Sequence, residues 1–144
     1  MPDIRQSIVI DSPPDRVYPL IASGSGFARW WAADVTQHDA DGITELGFFS
    51  RATIFRLKLL RATAPIETDW LCQSGGEWQE TKLQFRLQPN DRRTLLRFTH
   101  AGWRCETDYF VSCNTTWGEL MFRLKAAAEG KPVQPLFSAT GVAD

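Results

Sequence analysis

Cysteine and histidine are scarce in this 144-residue chain, which has three of the first and two of the second. Cys72, Cys105 and Cys113 are widely spaced with no CxxC pair, which excludes a disulfide framework and reads as free thiols in a reducing cytoplasm. His38 stands beside Asp39 and Asp41 in a turn rich in Asp and Gly, so no metal site is expected there. No apolar stretch approaches the ~20 residues that span a bilayer, which excludes membrane insertion by a helix. The opening MPDIRQSIVIDSPPD lacks a basic region followed by a long apolar run, so no signal peptide is expected. Charge of either sign is also unconcentrated. With 16 Lys and Arg against 17 Asp and Glu, spread along the chain, there is no basic stripe to hold nucleic acid. GxSxG, P-loop and dinucleotide fingerprints are missing, and no cofactor is expected.

What the chain does have is tryptophan, six in all, within an ordinary hydrophobic fraction of 43%. Each indole N–H wants a partner, so so many in one domain point to a packed core with a wet pocket or an exposed edge. The length fits one domain, taken as residues 1–130 followed by a tail at 131–144 carrying Leu136 and Phe137.

Ile4, Ile8 and Ile10 alternate with polar residues as in a half-buried strand. Ser12-Pro13-Pro14-Asp15 reads as a helix start, with Ser12 as cap and Pro13 at the first helical position. Ser23-Gly24-Ser25-Gly26 should break that short helix before one further turn over Phe27–Trp31. From Val35 to His100 the pattern is of strands, with Asp41-Gly42 as a hairpin signal. Phe55, Leu57 and Leu59 share one face, as do Leu83, Phe85 and Leu87, and then Leu96, Phe98 and His100. The spacing of Tyr109, Phe110, Cys113, Trp117, Leu120, Met121, Leu124 and Ala128 predicts one long helix from about Thr107 to Glu129. Thr107 or Asp108 is its candidate cap, and Gly130 and Pro132 stop it. The expected fold class is α+β: a twisted antiparallel sheet of about six to seven strands curled around the C-terminal helix, with two short helices after the first strand.

Particular stretches sharpen this. Ser12–Tyr18, Gly26–Trp31, Thr99-His100-Ala101-Gly102-Trp103, Thr116-Trp117-Gly118, Leu124-Lys125 and Glu129-Gly130 occur in an order that resembles the START-like, or SRPBCC, helix-grip superfamily of birch-pollen allergens and polyketide cyclases. Within it the chain is similar to the activator-of-heat-shock-ATPase homologue branch. The resemblance implies a cavity between sheet and helix that takes an apolar molecule; a minority of the superfamily are cyclases, hydrolases or co-chaperones. The eukaryotic co-chaperone has an additional N-terminal domain that these 144 residues cannot hold, so a chaperone partner is the less expected reading.

The expected function is binding of a small apolar or aromatic ligand, without an assigned activity. Candidate cavity residues are Tyr109, Cys113, Trp117 and Met121 on the helix, Phe55, Leu57, Phe85, Phe98 and His100 on the sheet, and Trp30 and Trp31 at the entrance. His100 has two readings: a base or orienting group in the pocket, making the chain a cyclase or hydrolase, or a structural residue bonded to its neighbours. Cys113 reads as a small buried hydrophobe. Trp78, in a loop-like run, is open to exposure. A third class of function, a protein-interaction module, needs a filled interior and an exposed aromatic patch, and a homodimer is compatible with any of the three.

Overall fold

The computed structural model describes residues 1–142. Strand β1 (Ile4–Ile10) leads into two short helices, α1 (Pro14–Val17) and α2 (Gly24–Phe27), with a 3₁₀ turn at Tyr18–Leu20 between them. Six further strands follow: β2 (Asp34–His38), β3 (Ile43–Phe48), β4 (Thr53–Thr63), β5 (Glu67–Cys72), β6 (Lys82–Asn90) and β7 (Arg93–Ala101). The chain then enters the long helix α3 (Asp108–Ala128).

All seven strands form one antiparallel sheet in the order β1-β7-β6-β5-β4-β3-β2. The order follows from hairpin after hairpin, with β1 added to the far edge beside β7, where Ile8 faces Leu96. The alternation read from the sequence sets the inner face. Leu57, Leu83, Phe85, Leu96 and Phe98 are buried, while Arg56 and Lys58 between them are exposed. A bulge between Leu59 and Arg61 breaks the β4–β5 register and helps the sheet curl. Helix α3 fills the concavity with Phe110, Cys113, Trp117, Leu120, Met121 and Leu124, the helix-grip arrangement. The Thr107 hydroxyl accepts the Phe110 amide at 3.1 Å and caps the helix.

The helix starts differ from the simplest reading of the sequence at two places. Ser12 does not cap α1: the helix begins at Pro14, Pro13 is its extended flanking residue, and the Ser12 hydroxyl has no partner. The ring of Pro14 disfavours a helical residue before it, which moves the start along by one. The break expected over Ser23–Gly26 falls earlier, at residues 21–23, and Gly24–Phe27 form α2 in place of a helical turn over Phe27–Trp31, with the Ser23 hydroxyl capping it by accepting the Gly26 amide at 3.2 Å. Glycine is required there by close packing, because a Cβ at Gly26 would overlap the Pro19 carbonyl oxygen and the Leu20 backbone.

Three donors brace this helical corner, two of them from the sheet. The Trp30 indole donates to the Leu20 carbonyl at 2.8 Å, and the Trp70 indole and Thr68 hydroxyl both donate to the Ile21 carbonyl, at 3.0 and 3.2 Å. Carbonyls left over at the end of a short helix are thereby satisfied inside the core. The segment after α3 returns across this corner. The Leu136 amide donates to the Trp30 carbonyl, the Phe137 amide to the Trp31 carbonyl, and the Ala33 amide to the Phe137 carbonyl. Residues 131–142 are thus joined to the body by backbone hydrogen bonds, with Leu136 buried.

Candidate functional site: a cavity under the long helix

Between the first half of α3, the β3–β4 turn and the segment after α3 lies a cavity of about 350 Å³. The helix contributes Tyr109, Ser112, Cys113, Thr116, Trp117 and Leu120; the strands and their turn contribute Phe48, Phe49, Thr53 and Phe55. Trp31, Trp78 and Phe137 complete the wall. A wider hollow of about 620 Å³ beside Glu119, Phe122, Arg123 and Pro132 is an open surface groove and lacks this enclosure.

The wall is built from aromatic planes. Phe55 and Trp78 stack with centroids 4.1 Å apart and planes 12° from parallel, and Trp117 lies near-parallel to Trp78 at 5.9 Å and 20°. Trp31 packs against Trp117 at 5.1 Å. Phe48 meets Phe55 and Phe137, each at 5.0 Å. Aromatic rings offer large rigid area at little entropic cost, which suits recognition of flat apolar molecules.

The rim is conformationally unusual. Phe49, Ser50 and Arg51 have φ of 53°, 55° and 66°, three successive non-glycine residues in the left-handed region. Two contacts hold this turn: an Arg51–Asp34 ion pair at 2.7 Å and a Ser50 amide bond to the Ala139 carbonyl, also 2.7 Å. Phe49 stays half exposed beside Phe137.

No residue lining the cavity is a carboxylate, lysine, arginine or histidine. Its two titratable residues, Tyr109 and Cys113, are both raised above their ordinary pKa values, chiefly by burial, so hydroxyl and thiol stay protonated at neutral pH. Cys72 lies elsewhere in the core, where burial pushes its thiol up to about 12. Among the described residues no group of three or more His, Cys, Asp or Glu is arranged to hold a metal ion.

Of the residues expected at the site, the cavity brings together Trp31, Phe55, Tyr109, Cys113 and Trp117. Trp30, Leu57, Phe85, Phe98, His100 and Met121 do not line it; all are at most 2% exposed and form the packed core beside it. His100 is used up by neighbours. The Trp117 indole donates to Nδ1 at 3.1 Å, and Nε2 lies 2.8 Å from the Thr81 hydroxyl, which itself donates to the Trp78 carbonyl. With Nδ1 accepting and the Thr81 proton committed, the imidazole is neutral with its proton on Nε2. Burial lowers its pKa to about 3. A base that is ring-packed on both sides and bonded at both nitrogens has no lone pair to offer a ligand.

Four aromatic wall residues lay outside the expectation for physical reasons. Trp78 was open to exposure in a loop, but the left-handed Gly75 and Gly76 turn the chain inward and leave it 5% exposed. Phe137 comes from the tail, and Phe48 and Phe49 from the end of a hairpin. The surplus of tryptophan was the only sequence signal of Trp78's role.

Comparison with known proteins fits this architecture. The family model described as activator of Hsp90 ATPase homolog 1-like protein matches residues 11–129. The chain belongs to this family. No curated protein sequence matches it. Among solved structures, the Aha1 dimer of Colwellia psychrerythraea is similar at 26% identity with a TM-score of 0.76, over 90% of this chain and 97% of that one. A Chromobacterium violaceum protein matches at 21% identity and TM-score 0.73, over 88% and 96%. CalU16 of Micromonospora echinospora matches at 19% identity and 0.70, over 88% and 75%. The last two are alike in fold. This Aha1-like chain thus shares the START-like helix-grip fold, and no helix among its described residues is long and apolar enough to cross a membrane.

Proposed function

We propose that this Aha1-like chain binds a small, uncharged, apolar or aromatic molecule in the cavity under α3. The observation that carries the reading is the wall itself: about 350 Å³, ringed by stacked aromatics and without an ionised side chain. An apolar cavity of roughly 150 Å³ holds benzene, so one of this size has room for about two rings. Affinity comes from apolar burial, at about 25 cal/mol per Å² before ordering costs. A charged ligand finds no counter-ion in the wall and keeps its full desolvation cost. The superfamily's general habit of holding apolar molecules between helix and sheet supports the same reading.

Hydrolysis or cyclisation with His100 as base is the weaker reading, since His100 is sealed behind Trp78, Trp103 and Trp117. The dimeric state of the Colwellia relative supports a homodimer as the assembly to test first. Native mass spectrometry of the full chain purified from its own host tests the binding reading. A retained small molecule, displaced by naphthalene, is the expected result; a chain that carries no adduct and takes up no naphthalene overturns it.

A further inference from the structure

One wall residue carries an unmet demand. Trp78 is 5% exposed, and its indole nitrogen is buried with no hydrogen-bond partner. An orphaned buried N–H is uncommon and costs about 1–3 kcal/mol in desolvation. Trp30 and Trp70 donate to carbonyls and Trp117 donates to His100, while the Trp103 indole, likewise buried without a partner, does not line the cavity. Trp78 is held in place by its faces, with Phe55 stacked at 4.1 Å and Trp117 near-parallel at 5.9 Å. Its N–H edge lies by the Tyr109 hydroxyl and the Cys113 thiol, near enough to oppose the effect of burial on both, though no hydrogen bond of normal geometry forms. Cys113 is fixed on the buried face of α3, whereas Tyr109 is 41% exposed and has solvent to swing into.

We infer that the ligand of this cavity is a flat aromatic molecule of about two rings bearing a neutral hydrogen-bond acceptor, such as a ketone oxygen, which takes the Trp78 indole proton as Tyr109 moves aside. The inference rests on the binding reading above and narrows its ligand class. Neutrality follows from the wall: an acceptor that is a carboxylate would meet no cation among the lining residues. A flat ring system suits the site because Phe55 and Trp117 cover both faces of the Trp78 indole, so an acceptor can reach its N–H only edge-on. The hydroxyls of Thr53, Ser112 and Thr116 in the same wall tolerate a polar substituent at a second position on the rings.

The test compares three probes of one ring system: naphthalene, 2-acetylnaphthalene and 2-naphthoate. Each is titrated into the full chain while the indole N–H signals are followed by ¹H–¹⁵N NMR. The expected result is that 2-acetylnaphthalene binds about tenfold more tightly than naphthalene, as one added hydrogen bond to an otherwise unpaired donor provides. It should shift the Trp78 indole proton downfield, and 2-naphthoate should bind most weakly. In Trp78→Phe, which keeps a ring in the stack, the advantage of the ketone over naphthalene should vanish, whatever the affinity of either. Should that variant fail to fold, the wild-type Trp78 signal decides alone. Equal binding of naphthalene and its ketone, with that signal unmoved, overturns the acceptor and leaves the cavity reading standing. Tightest binding by 2-naphthoate overturns the neutral class. Failure of all three to bind overturns the cavity reading itself.

Discussion

The indole of Trp117 donates to Nδ1 of His100 at 3.1 Å, and this bond fixes both the tautomer and the charge of the histidine. A proton on Nδ1 would point at an N–H that already occupies the site, so protonation must break the pair. Long-range ¹H–¹⁵N correlation should therefore show a single Nε2–H tautomer for His100 from pH 8 to pH 5. A second tautomer or an imidazolium in that range would contradict the assigned bonding.

Burial of His100 makes stability depend on pH. His100 has a folded pKa of about 3 against an ordinary value of 6.5, so below pH 6.5 the unfolded chain binds a proton that the folded chain refuses. Stability is complete above pH 6.5 and falls as pH drops toward 3, by up to about 1.4 kcal/mol per unit. Between pH 6.5 and 5 the loss is about 2 kcal/mol. His100→Gln, which can still accept from Trp117 and donate to Thr81, should flatten this part of the profile in chemical denaturation. An unchanged slope would assign it to other groups.

Glu129 acts lower on the scale. Burial works against its charge, but hydrogen bonds from Lys125, the Asp11 amide and Lys131 prevail and hold it down to about 2. Its contribution is present above pH 4.5 and is lost as pH falls from 4.5 toward 2. Glu129→Gln should lower stability by about 1 kcal/mol at pH 7 and by much less near pH 2, measured by urea unfolding. Equal losses at both pH values would mean that the side chain acts through packing alone.

Trp117 is at once core and cavity wall, being 1% exposed and against Phe98 at 4.2 Å. Trp117→Phe keeps most of the ring and orphans His100 Nδ1, and should cost about 1–3 kcal/mol. Trp117→Ala should cost about 3–5 kcal/mol, by calorimetry or denaturant, because the core side of the ring cannot collapse. A loss below about 1 kcal/mol for the alanine variant would mean that the ring mainly faces space.

At Gly26 a single methyl group should do as much harm. Its Cβ would strike main chain, at the Pro19 carbonyl and Leu20, which cannot yield as a side chain would. Gly26→Ala should cost more than about 2 kcal/mol. Gly118→Ala in α3, where the nearest atom is the Gln6 side chain at 3.8 Å, should instead be neutral or stabilise by up to about 1 kcal/mol. Similar thermal shifts for the two would refute the packing argument.

Strand parity was legible because alternation records which face a side chain takes, and it put Leu83, Phe85, Leu96 and Phe98 inside. Helix periodicity did the same for Cys113, Trp117 and Leu124. Neither periodicity records depth along the fold. Phe55 and Leu57 share a face of β4, yet Phe55 meets the cavity and Leu57 is sealed in core, because the cavity lies only at the β3–β4 turn end of the sheet. His100 and Trp117 are 17 residues apart, and no local pattern says that an inward histidine will be met by an inward indole. Trp78 and Phe137 reach the wall from segments without periodicity, where sequence carries turn chemistry but no facing.

The segment after α3 lends the cavity one ring, Phe137, and is held to the body by main-chain bonds from residues 136 and 137 to Trp30 and Trp31. Those bonds need only main chain, so any residue but proline at 137 can make them. One wall of the pocket is therefore interchangeable. If the cavity binds as proposed, its ligand preference can be retuned, by drift or by design, through exchange of that single residue, while every strand pairing and the grip on α3 stay as they are.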